Sequence, residues 1–589
     1  MTQPPKKDPA VLRAEQGIDA PMEKKSKSER LKLESRGFRG NVLKEMTDTA
    51  TPNVSEDSYN LMKHFGMYQQ DDRDVRIERK RAGLEKDWSF MIRVKVPGGA
   101  LTPEQYLVLD DCATNWTNGS IRITTRQTIQ FHGVGKLKLQ SLTRDLNSRL
   151  LTTYGACGDV VRNVMSCPVA DIDATPEWLG REVFQELTTT INARTLPRTT
   201  AFYDIFINGE RDNTDAPIAT LRDETEDLYG STYMPRKFKI GVTIPQDNCI
   251  DVFSQDLGIV AILDGKGGVR GYNILAGGGL GSSHGAKETH PRIADPVTFV
   301  STKEILRAVD AVIAIQRDYG DRTNRKHARL KYLLDDVGPD WFREEMGRRM
   351  ALTLPVAEPI APEDWHFHDH LGWHEQRQSG LYYVGVFIEN GRIIDGDRTG
   401  KPTRTNLRRI VEKFRPHVRL TAQQNIVFAN IAEKHIKEIS AMLEDSGLST
   451  GNSHLSMLRR GEIACVALPT CGLALAESER VLPGMITKME ELGYGNERIQ
   501  IRMSGCPNSC SRAPMAEIGI IGRAPNKYNL YIGGDYEGTR LNQFLKENVT
   551  IEQLPFEIGK LIDRWRLEKN PGEEFGDYCH RLGVDAFKG

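Results

Sequence analysis

Ile121-Arg-Ile-Thr-Thr-Arg-Gln-Thr-Ile-Gln-Phe-His-Gly-Val134 returns 297 residues later as Val418-Arg-Leu-Thr-Ala-Gln-Gln-Asn-Ile-Val-Phe-Ala-Asn-Ile431. Arg122, Thr124, Gln127, Ile129 and Phe131 recur as Arg419, Thr421, Gln424, Ile426 and Phe428. Ile121 and Ile123 alternate with Arg122 and Thr124, the period of a strand with one polar face. A weaker pair, Tyr272-Asn-Ile-Leu-Ala-Gly-Gly278 and Tyr528-Asn-Leu-Tyr-Ile-Gly-Gly534, lies 256 residues apart. Two repeats at long offset imply an old duplication, with two related halves facing each other about a pseudo-twofold axis.

The copies have diverged in charge. Arg126, Gln130 and His132 of the first stand where the second has Gln423, Val427 and Ala429. Arg122, Arg126, Gln130 and His132 on one face suit an anionic ligand better than plain solvent. Further cations occur at Arg93, Arg162, Lys237 and Lys239, the last two expected on one strand face. Each alone reads as a surface charge.

Four of the nine cysteines form two tight pairs, Cys465-Val-Ala-Leu-Pro-Thr-Cys471 and Cys506-Pro-Asn-Ser-Cys510, while Cys112, Cys157, Cys167, Cys249 and Cys579 are scattered. Disulfides need an oxidising compartment, and Met1-Thr-Gln-Pro-Pro-Lys-Lys-Asp8 lacks the apolar stretch of a secretory signal. Structural zinc prefers tighter spacing than that between Cys465 and Cys471. Pro469 and Pro507 set turns beside the thiols, which disfavours coincidental core cysteines. Thiolate ligation of an iron–sulfur cluster accounts best for the set. Ile499, Ile501 and Met503 alternate with Gln500 and Arg502, predicting a half-buried strand that runs into the Gly505-Cys506-Pro507 turn. Met485, Ile486, Met489 and Leu492, between Pro483 and Gly493, predict a helix.

A chain of 589 residues exceeds one core and predicts three to four domains. A net charge of −1 gives no bias toward nucleic acid. No apolar run approaches membrane-spanning length, and Gly258-Ile-Val-Ala-Ile-Leu263 reads as a buried strand, so a soluble cytoplasmic protein is expected. The first 45 or so residues, rich in Lys, Glu and Arg, read as a solvated arm or a docking segment for a partner. Arg317 to Lys331 is basic with the single aromatic Tyr319, an anion-binding loop rather than a nucleic-acid patch. Gly277-Gly-Gly-Leu-Gly-Ser-Ser-His-Gly285 matches neither the phosphate-loop nor the dinucleotide fingerprint, so no NAD(P) or flavin site is expected.

These segments, with His64 to Asp74, Ala156 to Asn163, Pro235 to Lys239 and Phe575 to Tyr578, resemble the sulfite/nitrite reductase haemoprotein family from about residue 28 to the end. The resemblance implies an α+β fold of three domains with a pseudo-twofold duplication and cofactors at the domain junction. The expected division is an arm and docking segment at 1–75, a ferredoxin-like repeat domain at 76–160 and 355–440, a first sirohaem and substrate domain at 161–354, and a second domain at 441–589. It implies a [4Fe-4S] cluster on Cys465, Cys471, Cys506 and Cys510, with Cys510 shared with the iron of sirohaem. Arg93, Arg162, Lys237 and Lys239 match the family's residues that bind the substrate anion and supply protons. Arg122, Thr124, Arg126, Gln130, His132 and Arg329 match positions around the sirohaem carboxylates, and Asn508 lies in the cluster loop beside the macrocycle. Arg329 departs from relatives that carry Lys there.

The activity implied is six-electron reduction of sulfite to sulfide, with nitrite reduction to ammonia as the near alternative and a zinc-stabilised, non-catalytic binding protein as the distant one. Electrons must come from another protein. His64 to Asp74 resembles members served by an NADPH flavoprotein subunit, and Leu371-Gly-Trp-His-Glu-Gln376 resembles ferredoxin-dependent ones.

Overall fold

The computed structural model describes residues 6–588 except 36, 176–181, 198–205, 208, 209, 212–226, 267, 397–399 and 450–454. Parts of the expected 161–354 and 441–589 domains therefore lie outside the described residues.

The repeat becomes a pair of matching five-stranded sheets. In the first, Met67–Asp71, Trp88–Val94, Ile129–Val134, Ile121–Ile123 and Arg392–Ile393 lie side by side. In the second the order is Gly372–Glu375, Leu381–Val386, Ile426–Ala432, His417–Leu420 and Ala100–Leu101. Each sheet thus ends on a short strand supplied by the other half, antiparallel in both cases. Met67–Asp71 belongs to the first sheet, inside the segment expected to be arm.

Apart from His417 and Gly133, both polar and apolar positions of Ile121–Ile123, Ile129–Val134 and His417–Leu420 are buried, so the expected polar face turns inward. The recurring residues explain why. Gln127 and Gln424 hold left-handed backbone in the hairpin turns, φ 53° and 69°. Gln127 Nε2 donates to Leu420 O at 3.0 Å, and Gln424 Nε2 donates to Ile123 O at 3.2 Å, a reciprocal exchange between the halves. Arg122 and Arg419 likewise each reach out of their own sheet, to Glu479 and Ala464 O in one case and to Asp171 and Pro168 O in the other. We expect Gln127→Ala, which strands buried carbonyls of Leu420 and Ser166, to cost about 1–3 kcal/mol, read as a lower urea midpoint.

Two larger sheets repeat as well. Met165–Ser166, Ile240–Thr243, Leu257–Leu263, Val269–Ala276 and Asp295–Ser301 form one. Glu462–Ala464, Ile501–Ser504, Ile518–Ala524, Lys527–Ile532 and Gln543–Val549 form the other. Both run parallel, parallel, antiparallel, antiparallel. The weaker repeat falls in matching strands, Val269–Ala276 and Lys527–Ile532. The helix expected after Pro483 is Leu482–Glu491. Ile501–Ser504 is buried on both faces rather than one, because Arg502 finds Asp251 at 2.5 Å.

Each larger sheet follows its second strand with a left-handed residue capping a short 3-10 turn: Asp251, φ 50°, before Val252–Ser254, and Arg512, φ 62°, before Ala513–Met515. Asp251 and Arg512 pair with each other at 2.5 Å. Arg512 also donates to Thr125 O at 2.8 Å and Ala422 O at 3.0 Å, equivalent positions of the two repeat copies.

The N-terminal segment is not a solvated arm. Its helices Pro9–Glu15, Lys27–Glu34 and Val42–Thr47 pack on the body, with Phe38, Val42 and Met46 buried. The charges are absorbed internally. Buried Glu29 takes Lys32 and Arg322, each at 2.5 Å, and Lys32 lies 3.5 Å from Asp159. Burial, the largest influence on Lys32, pulls its pKa down against these carboxylates. Glu29→Ala leaves two buried cations without that partner, and we expect about 3–5 kcal/mol of destabilisation, seen as a lower thermal midpoint. No described helix is long and apolar enough to cross a membrane.

Candidate cofactor and anion site

Adjacent parallel strands explain why the four distant cysteines meet. Ala464 pairs with Met503, so Cys465 and the Cys506–Cys510 loop leave the same end of neighbouring strands. Cys465 N donates to Met503 O at 3.2 Å, and Leu475 N and Ala476 N donate to Gly505 O at 2.8 and 3.0 Å, which folds the Cys471 segment back over the loop. Gly505 N donates to Cys465 Sγ at 3.2 Å, and Asn508 Nδ2 approaches Cys506 Sγ at 3.6 Å. All four thiols are free; Cys506 is buried, Cys465 and Cys471 half-buried, and Cys510 exposed. Burial first and Cys510 second push up the pKa of Cys465, Cys471 and Cys506, the last to about 11. Thiols that oppose one another's ionisation fit a polynuclear cation, which would hold all four as thiolates.

Cys510 opens toward the cations. Its field acts on Arg93, Lys237 and Lys239. Lys237 is driven well below an ordinary lysine by burial, then by Lys239, Arg329 and Arg236. Burial, then Arg126 and Arg329, bring Lys239 down to about 7. Arg93, Arg126, Arg162, Lys237 and Lys239 form no ion pair with a carboxylate among the described residues. The Arg126 guanidinium is anchored on Gln255 Oε1 at 2.8 Å and Ile240 O at 3.0 Å, while its buried Nε and the Gln130 Oε1 have no hydrogen-bond partner among the described residues. Such a surplus of desolvated positive charge with orphaned polar atoms fits a polyanionic ligand.

The expected residues do not all sit alike. Gln130 is the cross-strand neighbour of both Arg93 and Arg122, which sets the three in one row across the sheet. Arg122 is engaged by Glu479 at 2.8 Å. Thr124 is used locally, its hydroxyl 2.6 Å from that of Thr128 and accepting from Thr128 N. His132 stays neutral, lowered by burial and then by Arg392, whose Nη1 is 3.3 Å from Nδ1. Arg329 is clamped on Asp256, with Nε at 3.0 Å and Nη2 at 2.9 Å, so it offers a fixed charge and no mobile proton. Lys237 and Lys239 lie in an extended lead before the strand Ile240–Thr243, not within it.

The basic run is largely neutralised, unlike the expected anion-binding loop. Arg317 pairs with Asp318, Arg322 with Glu29 and Arg325 with Asp159. Glycine at 281 serves close packing: a Cβ there would stand 3.0 Å from Asn508 O. Sequence reading missed Asp256 and Asp159, which orient the arginines. It also missed Thr125, whose hydroxyl holds Cys510 O at 2.9 Å, and Lys95, buried without a hydrogen-bond partner at Nζ among the described residues and lowered to about 7 by burial and Arg126. Tyr68 and Cys157 stand beside Arg93, whose Nη1 meets Cys157 Sγ at 2.8 Å. The recurring hairpin Thr124–Thr128 was a signal for Thr125, and Tyr68, Cys157 and Asp159 lie in the segments His64 to Asp74 and Ala156 to Asn163 that carry the resemblance; Asp256 and Lys95 have no such mark.

The family model of the nitrite and sulphite reductase 4Fe-4S domain matches residues 157–354, and that of the nitrite/sulfite reductase ferredoxin-like half domain matches 84–149 and 374–446. The first match covers the larger sheet without the paired cysteines; the cysteine cradle stands on its repeat. The chain is 42% identical over 564 residues to the sulfite reductase (NADPH) hemoprotein beta-component of Lysinibacillus sphaericus, covering 95% of this chain and 96% of that one. It is 42% identical over 576 residues to the protein of the same name from Anoxybacillus flavithermus, covering 96% and 97%. The structure of the Mycobacterium tuberculosis NirA protein shares the fold, with a TM-score of 0.71 at 23% identity over 94% of this chain and 95% of that one. With near full-length relatives at this identity and both half-domain types in place, the chain belongs to the nitrite and sulfite reductase family.

Proposed function

We propose that the protein reduces sulfite to sulfide, sulfur passing from oxidation state +4 to −2, with sirohaem and a [4Fe-4S] cluster as resident cofactors. The observation that carries this reading is the exposed Cys510, last of four convergent thiols, whose field acts on Arg93, Lys237 and Lys239, cations that form no ion pair with a carboxylate among the described residues. Cys465, Cys471, Cys506 and Cys510 would hold the cluster, and Cys510 would also serve the sirohaem. When bound, these groups would supply iron chemistry toward sulfur and a store of single electrons. Arg93, Arg162, Lys237 and Lys239 draw the substrate dianion into a dehydrated pocket. Lys239, poised at about 7, delivers protons to oxygens that leave as water. Arg126, Gln130 and Arg329 supply the charge and polar atoms suited to macrocycle carboxylates, while Arg122, Thr124 and His132 hold the strand that carries them, and Asn508 steadies Cys506.

The relatives' names carry NADPH, which favours a separate flavoprotein over ferredoxin as donor, and free thiols suit a cytoplasmic setting. The purified protein should show sirohaem absorption and reduce sulfite with a chemical one-electron donor but not with NADPH alone. Adding a flavoprotein subunit should restore the NADPH reaction. Colourless, iron-free protein from cells that make sirohaem would overturn the reading.

A further inference from the structure

The two larger sheets correspond with a single offset of 261 residues, Ile240–Thr243 with Ile501–Ser504 and Leu257–Leu263 with Ile518–Ala524. That offset carries Cys510 onto Cys249. Cys167 follows the strand Met165–Ser166 much as Cys465 follows Glu462–Ala464. The half without the cysteine cradle therefore has two thiols of its own at a related place, joined there by Asp247 and His370. The ligand atoms of these four buried residues all lie within 4.8 Å of one another.

We propose that Cys167, Cys249, His370 and Asp247 form a closed, four-coordinate zinc site, separate from the four-cysteine cradle and independent of the activity proposed above. Zinc at about 2.3 Å from sulfur and about 2.0 Å from nitrogen and oxygen sets tetrahedral edges near 3.6 Å for S···N and about 3.3 Å for N···O. Cys167 Sγ stands 3.6 Å from His370 Nε2, and His370 Nε2 stands 3.1 Å from Asp247 Oδ2. Two thiolates, an imidazole and a carboxylate are a donor set for a borderline-soft ion without geometric preference.

The carboxylate is aimed rather than adrift. Cys249 N donates to Asp247 Oδ1 at 3.2 Å, while the buried Oδ2 faces His370 Nε2 at 3.1 Å. An oriented ligand with its second oxygen held from outside is the arrangement of a metal-binding carboxylate. His370 is held in left-handed backbone, φ 59°, which a non-glycine residue keeps only when its surroundings insist. Its carbonyl packs where a Cβ on Gly385 would stand. A cavity of about 520 Å³, lined in part by Asp173, Gln246, His366, His368 and His374, reaches His370 and gives an entry path. Full burial and four protein ligands leave no open coordination position, so the role is to tie residues 167, 247–249 and 370 together.

The rival arrangement is metal-free, with a buried imidazolium on Asp247 beside two inert thiols. Full-length protein purified without chelator from zinc-sufficient cells separates them by elemental analysis. We expect about one zinc per chain, with X-ray absorption at the zinc edge showing two sulfur and two nitrogen or oxygen neighbours. Cys167→Ser combined with Cys249→Ser should drop zinc at least about tenfold while the iron content holds. Wild-type protein without zinc, zinc retained by the double variant, or a shell of four sulfurs would each overturn the site. If the double variant does not fold, the wild-type zinc content and absorption edge decide alone. Sirohaem content and sulfite reduction are read separately, so loss of this site and loss of the proposed activity are told apart.

Discussion

Replacing Cys510 by serine is expected to remove the spectral signatures of cluster and sirohaem together and to lower sulfite reduction by more than a hundredfold, since even outer partners of a metal ligand are worth about 10–100-fold. The reason is position. Cys510 is the one exposed thiol of the four, its carbonyl is held by Thr125, and its field reaches Arg93, Lys237 and Lys239. A serine hydroxyl keeps the size and hydrogen-bonding reach but is a poor ligand for iron. The control is Cys112→Ala, in the helix Pro103–Trp116 and buried, which should cost stability while leaving both signatures. Visible and electron paramagnetic spectra of the two variants check the contrast. If Cys510→Ser retained either signature at full strength, the shared-ligand role would fall.

Lys239→Met carries the second largest effect. Methionine keeps the bulk and removes the charge and the proton, so turnover with an artificial donor should fall about 10²–10⁴-fold with iron content unchanged. Lys237→Met should do likewise or release partly reduced intermediates. The pH dependence has a definite sign. Lys239, at about 7, loses its proton as pH rises through that value, so sulfite affinity and rate should decline above neutrality, and Lys239→Met should flatten that limb. Lys239→Arg should keep sulfite affinity yet lose turnover, because arginine holds its proton. In the cofactor-free chain the same group is depressed from 10.5. The unfolded chain then binds more protons between about 7 and 10.5, so its contribution favours folding at the alkaline end of that window. An anion entering the cleft reverses the shift, and its binding should take up protons in that range. A rate and affinity in Lys239→Met equal to wild type would reduce the lysine to a bystander.

What the sequence disclosed and what it hid divide along chain distance. The cysteines are legible because one metal centre forces four thiols into two short loops, leaving Cys465 to Cys471 and Cys506 to Cys510 as compact words. The hairpins at Thr124–Thr128 and Thr421–Asn425 are legible because the same turn was copied. By contrast, Arg322 meets Glu29 across 293 residues, and nothing near either residue marks the meeting. A lysine- and glutamate-rich start therefore reads as solvated although it is fastened to the body through Lys32 and Asp159. Removing residues 1–45 should therefore destabilise the whole chain and cannot isolate a docking function. The alternating strands read as half-exposed for a related reason: alternation reports polarity, and here the polar side is buried against the other half.

Asp251 and Arg512 occupy one position counted twice, 261 residues apart, and they touch. In an assembly of two identical chains, a residue on the twofold axis meets its own copy. There a symmetric pair could have offered only a residue against itself, and aspartate against aspartate or arginine against arginine would be a buried repulsion. The ion pair became attainable only once the two copies could mutate apart. The same freedom let one copy keep basic side chains and the other gather thiols. Asp251 also holds the buried Arg502, so Asp251→Ala, which strips two buried arginines of their carboxylate, should lower the thermal midpoint more than Arg512→Ala does.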